Sequence, residues 1–223
     1  MNTQTFSFDT TNGATTAFVA RPDDTSENTK AVILIQEWWG LNDHIKDIAI
    51  RYANEGFIAI APDLYRGKLA ADPEEAGKMM ADLAIEDGLE TIRNTVEVSR
   101  RAFGNTHFGI TGYCMGGTYA LRAACEVEGI SAAAPFYGDI PDEEILQKLK
   151  VPVVFISGTK DAWINPEKVA GLEAAADKYD LDVDSVVYEA DHAFFNNTRP
   201  EVYDKNAADD AWAKVIGFFN DKL

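Results

Sequence analysis

Six short runs along the chain are apolar almost throughout: AVILIQ (31–36), FIAIAPD (57–63), HFGITGY (107–113), SAAAPFYG (131–138), VPVVFISG (151–158) and DSVVYEA (184–190). Runs of this length without strict alternation suit parallel strands covered on both faces. Between them the spacing changes to that of helices. Ile45, Ile48, Ala49 and Tyr52 recur as one buried stripe, with Asp43 placed to cap the helix they mark. Ile85, Leu89, Ile92 and Val96 draw a second stripe, and Ala208, Trp212, Val215 and Phe219 a third. Pro166 and Glu167 open another helix that runs to about Lys178, proline supplying the φ of a first turn.

Alternation of strand and helix means βαβ units and a mostly parallel sheet. The polar N-terminal segment adds an edge hairpin through Phe6–Phe8 and Thr16–Ala20. The expected architecture is α/β: about eight strands in one three-layer α/β/α domain spanning residues 1–223. In such sheets the working residues gather at the carboxyl ends of the strands.

Composition narrows the function. The 223 residues carry a net charge of −17, which disfavours nucleic acid and anionic membrane surfaces as partners. An anionic substrate would need a local cation to overcome that field. No apolar run reaches the ~20 residues of a membrane helix, and MNTQTFSFDTTNG has neither the basic head nor the apolar stretch of a secretory signal. The two cysteines, Cys114 and Cys125, would lie about 16 Å apart along one helix, too far for a disulfide. Free thiols and a cytoplasmic location are expected. The three histidines lack the spacing of a metal site, and no dinucleotide fingerprint follows a strand, so neither metal nor cofactor is expected.

The chemistry concentrates at Cys114. Gly112-Tyr113-Cys114-Met115-Gly116 has the form of a nucleophile elbow, with a strand before it and a helix after it. The helix N-terminus would favour a thiolate. His192 lies just past the last strand-like run, where a general base can reach the top of the sheet. Asp161 follows another strand and can fix the tautomer of that imidazole. Cys114, Asp161 and His192 fall in the chain order of α/β-hydrolases. His107 begins its strand and so points to the opposite end, while His44 reads as a half-exposed surface histidine and Cys125 as core. Glu37 ends a buried strand ahead of Trp38 and Trp39; it either sets the charge state of the thiol or pairs with a core arginine, Arg66 or Arg122. The backbone N–H groups of Trp38 and Met115 are the expected oxyanion donors. Ser131 and Ser157 lie in no such turn.

These residues resemble the dienelactone hydrolase family. The likeness rests on Gln36-Glu37-Trp38-Trp39-Gly40, Ala61-Pro62-Asp63-Leu64-Tyr65, Gly112-Tyr113-Cys114-Met115-Gly116-Gly117, Gly158-Thr159-Lys160-Asp161 and His192-Ala193-Phe194, in this order, and covers about residues 10 to 220. It implies an ester- or lactone-cleaving hydrolase of the carboxymethylenebutenolidase type. Cys114 is then the nucleophile, His192 the base, Asp161 the orienting acid and Glu37 the resting partner of the thiol, displaced when substrate binds. The family holds its substrate carboxylate with two arginines, one in the helical region after Asp-Leu-Tyr and one four residues past the histidine. Here residues 72–80 contain no arginine, and the second position is Asn196. Arg66 and Arg199 are the nearby substitutes. The pocket reads as apolar instead, lined by Trp39, Tyr65, Met80, Tyr137, Trp163 and Phe194 with Arg199, and Trp38 and Met79 are also available. The expectation is a small neutral ester or lactone rather than dienelactone, cleaved by a monomer or weak homodimer. The rival is a protein of the same fold that uses Cys114 to bind or sense oxidants without turnover.

Overall fold

A computed structural model of the chain describes residues 1–26, 29–104 and 107–223. Eight strands form one sheet: β1 (Asn2–Thr10), β2 (Gly13–Arg21), β3 (Ala31–Ile35), β4 (Ile58–Pro62), β5 (Phe108–Tyr113), β6 (Ile130–Phe136), β7 (Val153–Gly158) and β8 (Val183–Tyr188). Their spatial order is β1-β2-β4-β3-β5-β6-β7-β8. The hairpin β1–β2 and the β2–β4 pair are antiparallel, and every later pair is parallel. All six apolar runs are strands. The hairpin is longer at both ends than Phe6–Phe8 and Thr16–Ala20, because its outer residues are polar and exposed and carry no hydrophobic signal.

The helices are α1 (Asp43–Asn54), α2 (Pro73–Asp82), α3 (Ile85–Phe103), α4 (Met115–Glu126), the short α5 (Glu143–Leu146), α6 (Pro166–Tyr179) and α7 (Lys205–Lys222). Period-two alternation in each central strand feeds two cores. Along β3, Ala31, Ile33 and Ile35 face the layer of α3, α4 and α6, whereas Val32 and Leu34 face α1 and α7. The expected three layers follow. The cap of α1 is Asn42 rather than Asp43: the Asn42 side chain accepts from the Ile45 N–H, which leaves Asp43 as first-turn charge.

Candidate active site

The parallel strands β3, β5, β6 and β7 all end at one edge of the sheet, and the predicted residues collect there. Cys114 directly follows β5 with φ 56° and ψ −118°, a strained backbone for a non-glycine residue. The turn is tight enough to exclude side chains. A Cβ on Gly116 would lie 2.3 Å from the Ile35 carbonyl oxygen, and one on Gly117 would lie 2.4 Å from that of Phe136. Both obstacles are backbone, so neither can move aside.

Asp161 lies beyond β7 and His192 beyond β8. Their side chains meet, with His192 Nδ1 and Asp161 Oδ2 2.6 Å apart. The other carboxylate oxygen accepts from the backbone N–H groups of Trp163 (2.8 Å) and Ile164 (2.9 Å). Burial by itself would raise this carboxyl, but the bonds from His192 and the two amides outweigh it and hold Asp161 below its ordinary range. The imidazole is held by rings as well, with Trp163 edge-on at 4.8 Å between centroids and Tyr137 at 5.0 Å. Its remaining nitrogen, Nε2, is buried and has no hydrogen-bond partner among the described residues.

Glu37 is 2% exposed, and its Oε2 accepts from the Asn196 side-chain amide at 2.7 Å. Burial raises its pKa from 4.5 to about 7, against the Asn196 bond and the nearby Arg199 charge, which both lower it. The Cys114 thiol is pushed up to about 12, by burial first and then by the Glu37 charge. The Met115 N–H at the start of α4 pulls the other way and does not prevail. The helix N-terminus thus acts in the expected direction but is outweighed, and two groups that both resist ionisation share the site. Asp161, Glu37, Cys114 and His192 open onto, or back, one cleft of about 730 Å³.

The model of the dienelactone hydrolase family matches residues 15–223. The chain belongs to the dienelactone hydrolase family. Among similar members are Protein usf of Aquifex pyrophilus, 37% identical over 204 residues (86% of this chain, 88% of that one), and a provisionally named carboxymethylenebutenolidase of Aquifex aeolicus strain VF5, 35% identical over 205 residues (again 86% and 88%). A crystal structure provisionally named as a dienelactone hydrolase, from Klebsiella pneumoniae subsp. pneumoniae MGH 78578, superposes with a TM-score of 0.89 at 27% identity, covering 99% of both chains. A dienelactone hydrolase-like promiscuous phosphotriesterase from metagenomic libraries, 18% identical, shares the fold (TM-score 0.88; 99% of this chain, 98% of that one). The fold is thus that of the α/β-hydrolases.

Within this dienelactone hydrolase scaffold, Trp38, Trp39, Met80, Tyr137, Trp163 and Arg199 line the cleft as expected, and Met115, named only for its backbone N–H, lines it too. Tyr65 and Phe194 do not. The Tyr65 hydroxyl sits beneath the floor, 3.1 Å from Met115 Sδ. Phe194 is fully buried against Tyr137 and Tyr188, because Ala193 before it takes a positive φ of 64° and turns the next side chain into the core. Met79 packs partly buried against the core. Arg66 and Arg122 do not pair with Glu37. Arg66 binds Asp87 and Thr10, and Arg122 binds Glu126, which leaves Arg199 as the arginine of the cleft. His44 is 8% exposed, not a surface group, and burial lowers its pKa. His107 stays at the far end of β5 on Ser131, and Cys125 is buried. Sequence patterns did not mark Thr118, Asp139, Asn165 and Lys168, which form a polar part of the lining, or Leu83, which extends the apolar part together with Ile85, a residue read only as part of a helical stripe. Among the described residues no helix is long and apolar enough to cross a membrane.

Proposed function

We propose that the chain hydrolyses neutral carboxylic esters or lactones through Cys114, His192 and Asp161. The observation that carries the reading is the buried, unpartnered Nε2 of His192, facing a cleft shared with Cys114 while Nδ1 is already tied to Asp161. Such a nitrogen is ready to take a proton from a thiol brought near it. As Cys114 moves from the field of Glu37 toward His192, the Sγ–H proton passes to Nε2 and the sulfur attacks the carbonyl carbon. The N–H groups of Trp38 and Met115 are proposed to receive the oxyanion. The carbon–oxygen bond to the alcohol then breaks, with the proton going from His192 to the departing oxygen. Water opens the thioester, His192 takes its proton, and the thiol is restored.

A neutral substrate follows from the charges. Both side-chain ammonium or guanidinium groups of the cleft are already matched, Lys168 Nζ to Asp139 at 2.6 Å and Arg199 Nε to Glu201 at 2.8 Å. A carboxylate would have to compete for them inside a strongly acidic protein. Trp39, Met80, Tyr137, Trp163 and Arg199 are the proposed substrate contacts. The thiol-sensing alternative needs a thiol that ionises at rest; a thiol raised to about 12 disfavours it. We further propose a cytoplasmic, single-domain enzyme that works as a monomer or weak homodimer on small molecules, without nucleic acid or membrane. Light scattering tests the assembly.

The deciding experiment measures kcat/KM on p-nitrophenyl acetate and cis-dienelactone for wild type, Cys114→Ala and His192→Ala. Turnover of the aryl ester that both substitutions abolish is expected. Full activity in either variant sinks the triad. A strong preference for the anionic lactone sinks the neutral-substrate reading and makes Arg199 its clamp.

A further inference from the structure

Cys114 ends β5, and the sheet passes through it in the order β4-β3-β5-β6-β7-β8. Cleft residues supplied from the β3 side therefore lie on one flank of the nucleophile, and those supplied after β6 and β7 lie on the other. Apart from Glu37, whose buried carboxyl is taken up by Asn196, the β3 flank is apolar. Trp38 and Trp39 follow β3, while Met80, Leu83 and Ile85 come from the α2–α3 corner. That corner belongs to the same flank, since α2 approaches Trp38 at Gly77 and α3 packs on β1 and β4.

The opposite flank carries the Asp139–Lys168 ion pair and other polar groups among apolar residues that include Tyr137, Trp163 and Ile164. Asp139 follows β6, and Asn165 caps the helix α6 whose first turn carries Lys168. Lys168 Nζ and Asp139 Oδ1 are 2.6 Å apart, and the Asp139 N–H donates to Thr118 Oγ1 at 2.8 Å. Trp163, 62% exposed, stands beside them. His192 is on this flank too, bonded to Asp161 and packed edge-on against Trp163.

Acyl transfer assigns the two flanks different jobs. The group that departs must have its oxygen within reach of His192, which protonates it. The leaving alcohol then lies on the polar flank and the acyl group on the apolar one. An apolar alcohol would strip water from the Asp139–Lys168 pair and return no hydrogen bond. Adjacent hydroxyls replace that water in kind, one donating to the carboxylate and one accepting from the ammonium. We infer that the substrate class is a neutral ester joining an apolar acyl group to a polyhydroxylated alcohol, bound by Asp139 and Lys168. This inference rests on the hydrolase reading above.

Glyceryl 1-monobutyrate and propyl butyrate share an acyl group and differ by two hydroxyls on the leaving alcohol. The full-length protein is expected to prefer the glyceryl ester by about tenfold in kcat/KM, the effect of one or two hydrogen bonds. Lys168→Met and Asp139→Ala should each bring that ratio close to one. Because it is a ratio, partial misfolding changes both terms alike. Equal turnover of the two esters, a preference for propyl butyrate, or a preference that survives both substitutions overturns the inference. Cys114-dependent cleavage of p-nitrophenyl acetate with neither butyrate cleaved also overturns it and leaves the hydrolase reading intact. No Cys114-dependent cleavage of any ester overturns both.

Discussion

Replacing Glu37 with glutamine removes a buried charge while keeping the side chain's shape, so its effect on stability should depend on pH in a calculable way. The carboxyl titrates near 4.5 when solvated and near 7 in the fold, with burial the main cause. The native state therefore holds this proton more tightly than the unfolded chain does. Its stabilising share is fully present below pH 4.5 and is lost as pH rises through about 7. The interval from 4.5 to about 7, at about 1.4 kcal/mol per pH unit, amounts to about 3 kcal/mol. Glutamine has no proton to lose, and its side-chain oxygen can still accept from Asn196. The variant should thus gain on wild type by about 2–3 kcal/mol between pH 5 and pH 8.5, or ~4–12 °C in melting temperature for a chain of this size. Urea denaturation of both proteins at half-unit pH steps measures it. Parallel curves would show that Glu37 ionises as easily in the fold as in water, and the reasoning from burial would fail. Removing the charge also removes one cause of the raised thiol pKa, so iodoacetamide should alkylate Cys114 faster in the variant at pH 8 to 9.

Four further outcomes are expected. Asp161→Asn should lower kcat on p-nitrophenyl acetate by about 10³–10⁴-fold through loss of the tautomer that His192 needs, and unchanged kcat would deny Asp161 an orienting role. Gly116→Ala would drive a Cβ to within 2.3 Å and 2.5 Å of two backbone oxygens, so it should destabilise by about 3 kcal/mol or prevent folding. Gly171→Ala, inside α6 with nothing within 4 Å, should instead stabilise by about 0.5–1 kcal/mol, and melting curves of the pair decide. Arg66→Met breaks the Asp87 pair at the start of α3 and should lose about 1–3 kcal/mol while ester turnover is unchanged; a fall in kcat/KM on a folded variant would bring Arg66 back as a substrate contact.

The sheet was legible because its central strands are buried on both faces, so that Ala31–Ile35 and Ile58–Pro62 carry no polar residue at all. Helix α2 was not marked by periodicity, and the reason is visible: among its ten residues only Ala76 is buried. The candidate site was legible as a cluster because Cys114, Asp161 and His192 each lie just past a strand, at the edge where parallel sheets present their side chains. Its tuning was not. The partner of Glu37 is Asn196, 159 positions away, and no local pattern brings those two side chains together. The net direction of the thiol's pKa was not legible for the same reason. A helix N-terminus is visible in sequence, but the burial and the neighbouring carboxyl that outweigh it arise only in the fold.

Charge then links the resting site to the substrate. Both the thiol and Glu37 resist ionisation, and His192 Nε2 has no partner among the described residues, so on the proposed mechanism the site holds almost no thiolate at neutral pH until the Cys114 proton can pass to His192. An anionic substrate would deepen that resistance, because its negative charge in the cleft would oppose the thiolate forming beside it. A neutral ester adds no such opposition, and by filling the cleft it displaces water from around His192 as the proton is transferred. The paired state of Lys168 and Arg199 fits the proposed neutral substrate: among the described residues both of these cleft cations already have a carboxylate partner, so an anion would have to displace Asp139 or Glu201 to gain one.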